Sequence, residues 1–252
     1  VVVDPIENCP AYQVGATQIK ADLKDSNAIK KLAKSSDVIT LEIEHVDVDT
    51  LEELANSGFP VHPSPKTVKI INDKLLQKQF LQKNGVPVAP FLQIDSIEDA
   101  TKALKKFNGK MIIKTRQGGY DGRGNIVVDS PSKIKQALEQ FSGQPVYAED
   151  YIPFKKELAA MVARTTKGDI KSYPIVETVH KRNICIEVLV PAEVDDKIIK
   201  KAKAVVKKVA KNLSGAGVFG VEMFLTKKGS VIVNEIAPRV HNSGHYTIEA
   251  NS

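Results

Sequence analysis

Near its C-terminal end the chain reads Val231-Ile-Val-Asn-Glu-Ile-Ala-Pro-Arg-Val-His-Asn-Ser-Gly-His245, which sets Asn234, Glu235, Arg239, His241, Asn242 and His245 directly after an apolar run. Polar, charged and metal-capable side chains at the end of a strand suit the floor of an active site. Upstream, Val218-Phe-Gly-Val-Glu-Met-Phe-Leu225 is a second apolar run with one acid, Glu222, inside it, and Thr226-Lys-Lys-Gly229 supplies a turn between the two. The runs are expected to pair as a hairpin. With Leu225 opposite Ser230, Glu222 would face Val233. Glu222 and Glu235 would then be diagonal neighbours on one face, roughly 7–8 Å apart at the backbone. A one-residue slip in the turn would send Glu235 to the opposite face. Two converging carboxylates suit a hard cation such as Mg²⁺ shared with phosphate oxygens. The alternative, a plain water-facing charge, is disfavoured because an acid flanked by Val, Met and Phe is costly to bury unless paired or metal-bound.

A second cluster is Met111-Ile-Ile-Lys-Thr-Arg-Gln-Gly-Gly-Tyr-Asp-Gly-Arg-Gly-Asn125: a strand, a cation at its end and a glycine-rich loop. Glycines let backbone N–H groups turn inward and approach phosphate oxygens. The G-K-[ST] ending of a Walker loop is missing, and a strand rather than a helix follows, which also excludes the dinucleotide fingerprint. On glycines alone a plain hairpin turn is the better reading. Lys114, closing an apolar run, is what turns the balance toward phosphate.

The elements that must carry these residues fall into two textures. From Val1 to His62 short strands (1–3, 38–41, 59–62) alternate with helical stretches (28–33, 51–56), the pattern of a parallel α/β sheet. Asp4-Pro5 and Glu42-Ile-Glu44 lie at carboxyl ends of strands, where open α/β sheets bind ligands. Ser64-Pro65 caps a helix expected to run to about residue 84, with Ile70, Ile71, Leu75, Leu76, Phe80 and Leu81 as its buried stripe. From Val86 onward strands dominate: 88–94, 110–115, 125–129 and 145–152, with helices at 96–107 and 131–141. An antiparallel set follows at 157–165, 171–177 and 183–190, then a lysine-rich helix and the acidic hairpin. Ser96 with Asp99 resembles a capping box.

Composition narrows the function class. A chain of 252 residues with 42% hydrophobic content can bury a substantial core and more than one lobe. No apolar run approaches the roughly 20 residues that span a bilayer, and no signal-peptide pattern opens the chain. Cys9 and Cys185 lack C-x-x-C spacing, so neither a disulfide framework nor a zinc site is indicated, and a cytoplasmic location fits. Much of the net charge of +6 lies in Asp195–Lys211, where Ile198, Ile199, Ala202, Val205, Val206, Val209 and Leu213 recur at helical spacing. Its lysines therefore form a solvated face. With no tryptophan and no basic stretch interleaved with stacking residues, nucleic acid is a poor partner and anionic small molecules a better one.

The order Asn72-Asp-Lys74, Ile113-Lys114, Gly118-Gly-Tyr-Asp-Gly-Arg-Gly124, Glu149-Asp-Tyr-Ile152, Glu157, Glu222 and Asn234 through His245 resembles the ATP-grasp superfamily. Within it, the glycine-rich string and Asn-Glu-Ile-Ala-Pro-Arg-Val-His-Asn-Ser-Gly-His are similar to the N5-carboxyaminoimidazole ribonucleotide synthetases, the ATPase component of phosphoribosylaminoimidazole carboxylase. The resemblance extends over essentially the whole chain. It implies an ATP-grasp fold preceded by a partial Rossmann-like parallel α/β domain, with residues 1–85 before the grasp, 86–152 its small lobe and 153–252 its large lobe. It implies ATP between the lobes, with Lys74 and Lys114 on the phosphates and Gly119, Tyr120, Asp121, Gly122, Arg123, Gly124 and Asn125 closing over them. Glu149, Asp150, Tyr151 and Ile152 would form the hinge against adenine, and Glu157 would take the ribose hydroxyls. Pro174-Ile-Val-Glu-Thr-Val-His180 resembles the family's Pro-x-x-Glu-Asn-x-His, which brings His180 near the nucleotide, with Thr178 replacing the usual Asn. Asn234 joins the nucleotide set. Mg²⁺ would sit on Glu222 and Glu235.

By the same resemblance, Arg239 would hold bicarbonate or carboxyphosphate, and Tyr120, Asp121, Arg239, His241 and Asn242 would contact 5-aminoimidazole ribonucleotide. The implied reaction is ATP- and bicarbonate-dependent carboxylation in purine biosynthesis, by an enzyme dimeric in its family. A formate-using transformylase or a biotin carboxylase shares the nucleotide machinery; a nucleotide-binding module without turnover is the rival from another class. The family's opening strand with its Gly-Gly-Gly-Gln-Leu-Gly-type loop, and a domain after the His-Asn-Ser-Gly-His string, have no counterpart in this sequence. Part of the ribonucleotide pocket and of the dimer surface is therefore expected outside it.

Overall fold

The structure, a computed structural model, describes residues 1–119, 124–141 and 143–250. In its first part β1 (Val2–Asp4) pairs in parallel with β2 (Gln18–Lys20), with α1 (Pro10–Gln13) between them, and Ile39 meets Val61 in a parallel bridge. α2 (Ser26–Lys34) and α3 (Val48–Asn56) start at Asp25 and Asp47, whose carboxylates accept from two backbone N–H groups of each first turn. Ile29, Ala33, Ile39, Leu51, Leu54, Val61 and Val68 close a core here. The expected strands at 38–41 and 59–62 reduce to that single bridge. The bridge is made by Ile39 N–H donating to Pro60 O and His62 N–H donating to Ile39 O, and Pro60, with no N–H of its own, cannot extend the ladder toward residue 59.

The long helix expected from Ser64 is two helices, α4 (Pro65–Asn72) and α5 (Lys74–Lys83). Asp73 breaks it at φ −103° and ψ 106° and caps α5, its carboxylate accepting from Leu75 and Leu76 N–H at 3.0 and 3.1 Å. Leu76, placed in the buried stripe by periodicity, is 39% exposed as a result of that break.

A four-stranded antiparallel sheet in the order β3-β6-β4-β5 comes next, from β3 (Phe91–Ile94), β4 (Met111–Thr115), β5 (Asn125–Val128) and β6 (Val146–Asp150). α6 (Ile97–Lys106) and α7 (Ser132–Gln140) share one core with it, built on Ala100, Leu104, Met111, Ile113, Val128, Ile134 and Ala148. Ser96 caps α6, its hydroxyl donating to Asp99 and accepting from the Asp99 N–H.

The last part is a six-stranded antiparallel sheet: β7 (Phe154–Arg164), β8 (Ile170–Ser172), β9 (Val176–Lys181), β10 (Ile184–Leu189), β11 (Gly217–Thr226) and β12 (Val231–Ala237), ordered β10-β9-β7-β11-β12 with β8 on β7. The single strand expected at 171–177 is thus split into β8 and β9. α8 (Asp196–Asn212) packs on this sheet through Ala202, Val205, Val206 and Val209 while its lysines face water. Ile71 and Leu81, from α4 and α5, belong to the same core. Among the described residues no helix is long and apolar enough to cross a membrane.

Candidate active site

A cavity of about 470 Å³ opens between the two sheets and the first part of the chain, and residues from all three line it. β12 supplies Asn234 and Glu235, β11 Glu222 and Phe224, β4 Lys114 and Ile112, α5 Lys74, and the segment after β12 Arg239, His241 and Asn242. Glu149 through Ile152 line it together with Glu157 and His180, as do Gly119, Gly124 and Asn125 at the neck of the glycine-rich loop. Residues 120–123, which carry Tyr120, Asp121, Gly122 and Arg123, lie outside the described residues. His245 does not line the cavity: it is exposed in the 3-10 turn Asn242–Thr247. Glu42 likewise faces solvent, whereas Glu44 reaches the cavity.

The hairpin brings its two acids together by a different register from the expected one. Thr226, not Leu225, closes against Ser230, with Thr226 N–H donating to Ser230 O at 2.9 Å and Gly229 N–H to Thr226 O at 3.0 Å. Gly229 takes φ +76°, the left-handed position that ends a three-residue hairpin loop. This is the one-residue slip that would have turned Glu235 away. A β-bulge between Glu222 and Met223 reverses it: Met223 pairs with Val233, Glu222 pairs directly with Glu235, and Asn234 is the extra residue. The Asn234 side-chain amide donates to Glu222 Oε2 at 3.2 Å, so bulge residue and acid lie on one face.

Each acid is held by a base. Lys74 Nζ lies 2.9 Å from Glu235 Oε2, and His241 Nε2 lies 3.2 Å from Glu222 Oε1. Burial alone would raise the Glu222 pKa, but His241, His180 and the Asn234 hydrogen bond outweigh it and leave the carboxyl below its usual range. For Lys74, desolvation pulls the pKa down, yet Glu235, Glu222 and Glu149 leave it above the ordinary lysine value. Gly220 lies under His241: a Cβ there would meet His241 Cβ at 2.7 Å, so the bare backbone lets the ring approach. Among the described residues no group of three or more His, Cys, Asp or Glu is placed to hold a metal by itself. Two carboxylates on one face are still the donor set of a site completed by substrate phosphates, which suits Mg²⁺.

Deeper in, Glu149 is 2% exposed and joins two lysines, Lys78 at 3.0 Å through Oε1 and Lys114 at 3.0 Å through Oε2. The Tyr147 hydroxyl donates to Oε1 at 2.8 Å. Burial would raise the Glu149 pKa, but Lys114, Lys78 and Tyr147 bring it down to about 2. The Glu149 side chain is thus occupied by lysines, and the cavity lining continues through Asp150, Tyr151 and Ile152. His180 Nδ1 lies 2.8 Å from Glu157 Oε2, a close pair short of an aligned hydrogen bond, and the carboxylate holds the imidazole pKa above its usual value. Arg239 pairs with Glu44 and also donates to Val240 O at 3.0 Å.

Several contributors carry no local sequence signal. Lys78 reads as one more helix lysine, and Arg116, bidentate on Asp73, as one more loop cation. Phe154 and Phe224, stacked with ring centroids 4.5 Å apart, come from neighbouring strands. Asn183 reaches the cavity from the β9–β10 turn, and Ile184 and Cys185 from the start of β10.

A family model described as an ATP-grasp domain matches residues 79–252, and one described as a ribonucleotide synthetase preATP-grasp domain matches residues 1–72. The chain is 46% identical over 254 residues to phosphoribosylaminoimidazole carboxylase of Ogataea methanolica, covering 99% of this chain and 47% of that protein. In structure it is similar to carboxyaminoimidazole ribonucleotide synthase of Aspergillus clavatus complexed with ATP, with a TM-score of 0.93 and 41% identity over 98% of this chain and 65% of that one. It is also similar to N5-carboxyaminoimidazole synthase of the same organism in complex with ADP and 5-aminoimidazole ribonucleotide, with a TM-score of 0.91, 40% identity and the same two coverages, 98% and 65%. The chain spans about half the length of the curated relatives it matches first, 47% and 44%. Since the larger match takes in both sheets that frame the cavity and the hairpin at its floor, the chain belongs to the ATP-grasp family.

Proposed function

We propose that this chain carries the ATP- and bicarbonate-dependent carboxylation of 5-aminoimidazole ribonucleotide to N5-carboxyaminoimidazole ribonucleotide, a carbon–nitrogen ligase step of purine biosynthesis in the cytoplasm. The observation that carries the reading is the convergence of Lys74, Lys114, Glu222, Asn234, Glu235 and Arg239 on one cavity. The relatives support it, one being a complex with ADP and the ribonucleotide. The proposed lobes are 86–152 and 153–252, preceded by 1–85.

In this reading ATP lies across the cavity with adenine against the apolar wall of Ile112, Ile152 and Phe224, along the hinge 149–152. Glu157, with His180 beside it, takes the ribose hydroxyls. Lys74 and Lys114 meet the phosphates, and the loop from Gly119 to Asn125 covers them. Glu222 and Glu235, with Asn234 across the bulge, would hold Mg²⁺, which when bound supplies charge neutralisation on the polyphosphate. Phosphoryl transfer depends chiefly on positioning and charge, and these residues provide both.

Bicarbonate oxygen attacks the γ-phosphorus, ADP leaves, and the resulting carboxyphosphate is a far better carbon electrophile than bicarbonate. The exocyclic amine then takes the carboxyl carbon, inorganic phosphate departs with the C–O bonding pair, and the amine loses a proton. Arg239 suits the oxyanion because its planar donors match two oxygens at once. Glu44 would yield it to that ligand. His241 and Asn242, with Tyr120 and Asp121, would contact the ribonucleotide, and the family suggests a homodimer.

The test is phosphate release from ATP and Mg²⁺ with bicarbonate, measured with and without the ribonucleotide, together with incorporation of labelled bicarbonate. Because part of the ribonucleotide pocket is expected outside this sequence, stimulated release with acid-labile label in the product is expected to be weak for this chain and strong for one extended at both ends to the length of its relatives. Nucleotide binding without any ribonucleotide response in the extended chain would overturn the substrate assignment.

A further inference from the structure

Lys78 has no place in the chemistry above, yet it is among the most deeply buried large side chains of the chain, 2% exposed. Its ammonium lies 3.0 Å from Glu149 Oε1 and donates to Val233 O at 3.3 Å, and it is absent from the cavity lining. Glu149 spends its other oxygen on Lys114, 3.0 Å away, which does line the cavity. One carboxylate therefore serves two lysine amines; burial pulls the Lys78 pKa below the ordinary lysine value while Glu149 works against that fall, and with both lysines protonated the triad carries one excess positive charge.

That arithmetic decides what Lys114 can do. With Lys78 present, Glu149 is shared, and the charge it leaves uncompensated lies at the cavity wall. Without Lys78, Glu149 and Lys114 would form a neutral buried pair, and drawing the ammonium back out toward a ligand would strand a buried carboxylate, which is costly. The placement of Lys78 reinforces this. It stands on α5, one turn after Lys74, and its second partner is a carbonyl of β12 one residue before Asn234, so it ties together the two elements that carry Lys74 and Glu235.

We propose that Lys78 is a positioning residue for phosphate binding: by sharing Glu149 it keeps the Lys114 ammonium available to the polyphosphate of the nucleotide. This rests on the nucleotide reading of the cavity. It makes a demand that a merely structural lysine would not. Loss of Lys78 must weaken binding of the polyphosphate and spare binding of the nucleoside.

The experiment uses the full chain and compares the wild type with Lys78→Met, Glu149→Gln and the double variant, each first checked for cooperative thermal unfolding. Affinity for ATP with Mg²⁺ is measured by calorimetry, and affinity for adenosine by ligand-observed NMR, which reads weak binding. Lys78→Met should weaken ATP by about ten- to a hundredfold, the worth of a charge-assisted contact, with adenosine unchanged. The double variant should lose less than the product of the two single losses, because both act through one carboxylate. ATP and adenosine weakening together, or independent losses in the double variant, would reduce Lys78 to a structural role and overturn the proposal, as would ATP affinity at the wild-type level. If Lys78→Met fails to unfold cooperatively, Lys78→Gln, which removes the charge and keeps a donor for Val233 O, decides by the same ratio of ATP to adenosine. A wild type that binds neither ligand would instead overturn the nucleotide reading itself, and the positioning role with it.

Discussion

The acids of the hairpin differ in what surrounds them, and the difference predicts what each tolerates. Glu235 has Lys74 as its charge partner and a side chain 38% exposed at the cavity, so Glu235→Gln removes one charge while keeping shape and leaves folding intact. Mg²⁺-dependent ATP turnover should fall by about a hundredfold or more, since a metal ligand contributes several kcal/mol at the transition state. Phosphate release unchanged at saturating Mg²⁺ would remove Glu235 from the metal site. His180 gives a prediction with a definite sign. Glu157 raises its folded pKa above the ordinary 6.5, so its protonated form stabilises the fold fully below 6.5 and that stabilisation is lost as pH rises through the folded value. The difference in unfolding free energy between wild type and His180→Gln should therefore be larger at about pH 5.5 than at about pH 9. Denaturant titrations showing the opposite order would contradict the pairing.

Elements were legible where one pattern decided them and obscure where a distant partner did. The lysine-rich helix follows from its own apolar stripe, and β11 and β12 follow from theirs. The break between α4 and α5 does not, because the apolar positions run straight through it and the residue that holds Asp73 in place, Arg116, is 43 positions away. The bulge at Asn234 is invisible for the same reason: it is settled by pairing across the hairpin, and the expected register missed both the slip and its reversal. The candidate site was thus readable in residue types, but the geometry joining Glu222 to Glu235 was not, nor was the Lys78–Glu149–Lys114 triad, whose members lie on three elements. The neck of the glycine-rich loop offers a test at this scale. Thr115 N–H donates to Gly124 O at 2.9 Å, and a Cβ on Gly124 would lie 2.4 Å from Thr115 Oγ1 and 2.9 Å from Gly119 Cα. Gly124→Ala must splay the two ends of the loop while leaving the core of its sheet untouched. ATP affinity should drop by about tenfold or more with the melting temperature nearly preserved, as expected when only phosphate contacts are misplaced. Wild-type affinity in a calorimetric titration would show that the loop does not cover the phosphates.

Across the whole molecule, two of the seams that fasten the first part of the chain to the large-sheet part differ in their physics. At one, neutral hydrogen bonds join α4 to the loop after α8: Thr67 Oγ1 donates to Ser214 O at 2.8 Å and accepts from Ser214 N–H at 3.0 Å. At the other, Arg239 pairs with Glu44, whose backbone carbonyl accepts from Asn72 Nδ2 at 2.7 Å. Of these two, only the second lies on the cavity, so a contact that docks the first part also holds the cation proposed for the oxyanion. Burial would raise the Glu44 pKa, but the Arg239 hydrogen bond and charge prevail and bring it below the ordinary 4.5. For a lowered carboxylate the stabilisation is complete above 4.5 and disappears as pH falls through the folded value. Glu44→Gln should accordingly destabilise the chain by about 1.5–3 kcal/mol at neutral pH, the range for a hydrogen bond to a charged group. The gap between variant and wild type should hold steady down to about pH 5 and then close, because both then carry a neutral side chain at this seam. Thr67→Val, which disturbs only the neutral seam, should leave a gap that does not change over the same range. Equal pH dependence in the two variants would show that the Glu44–Arg239 charge pair does not contribute to docking.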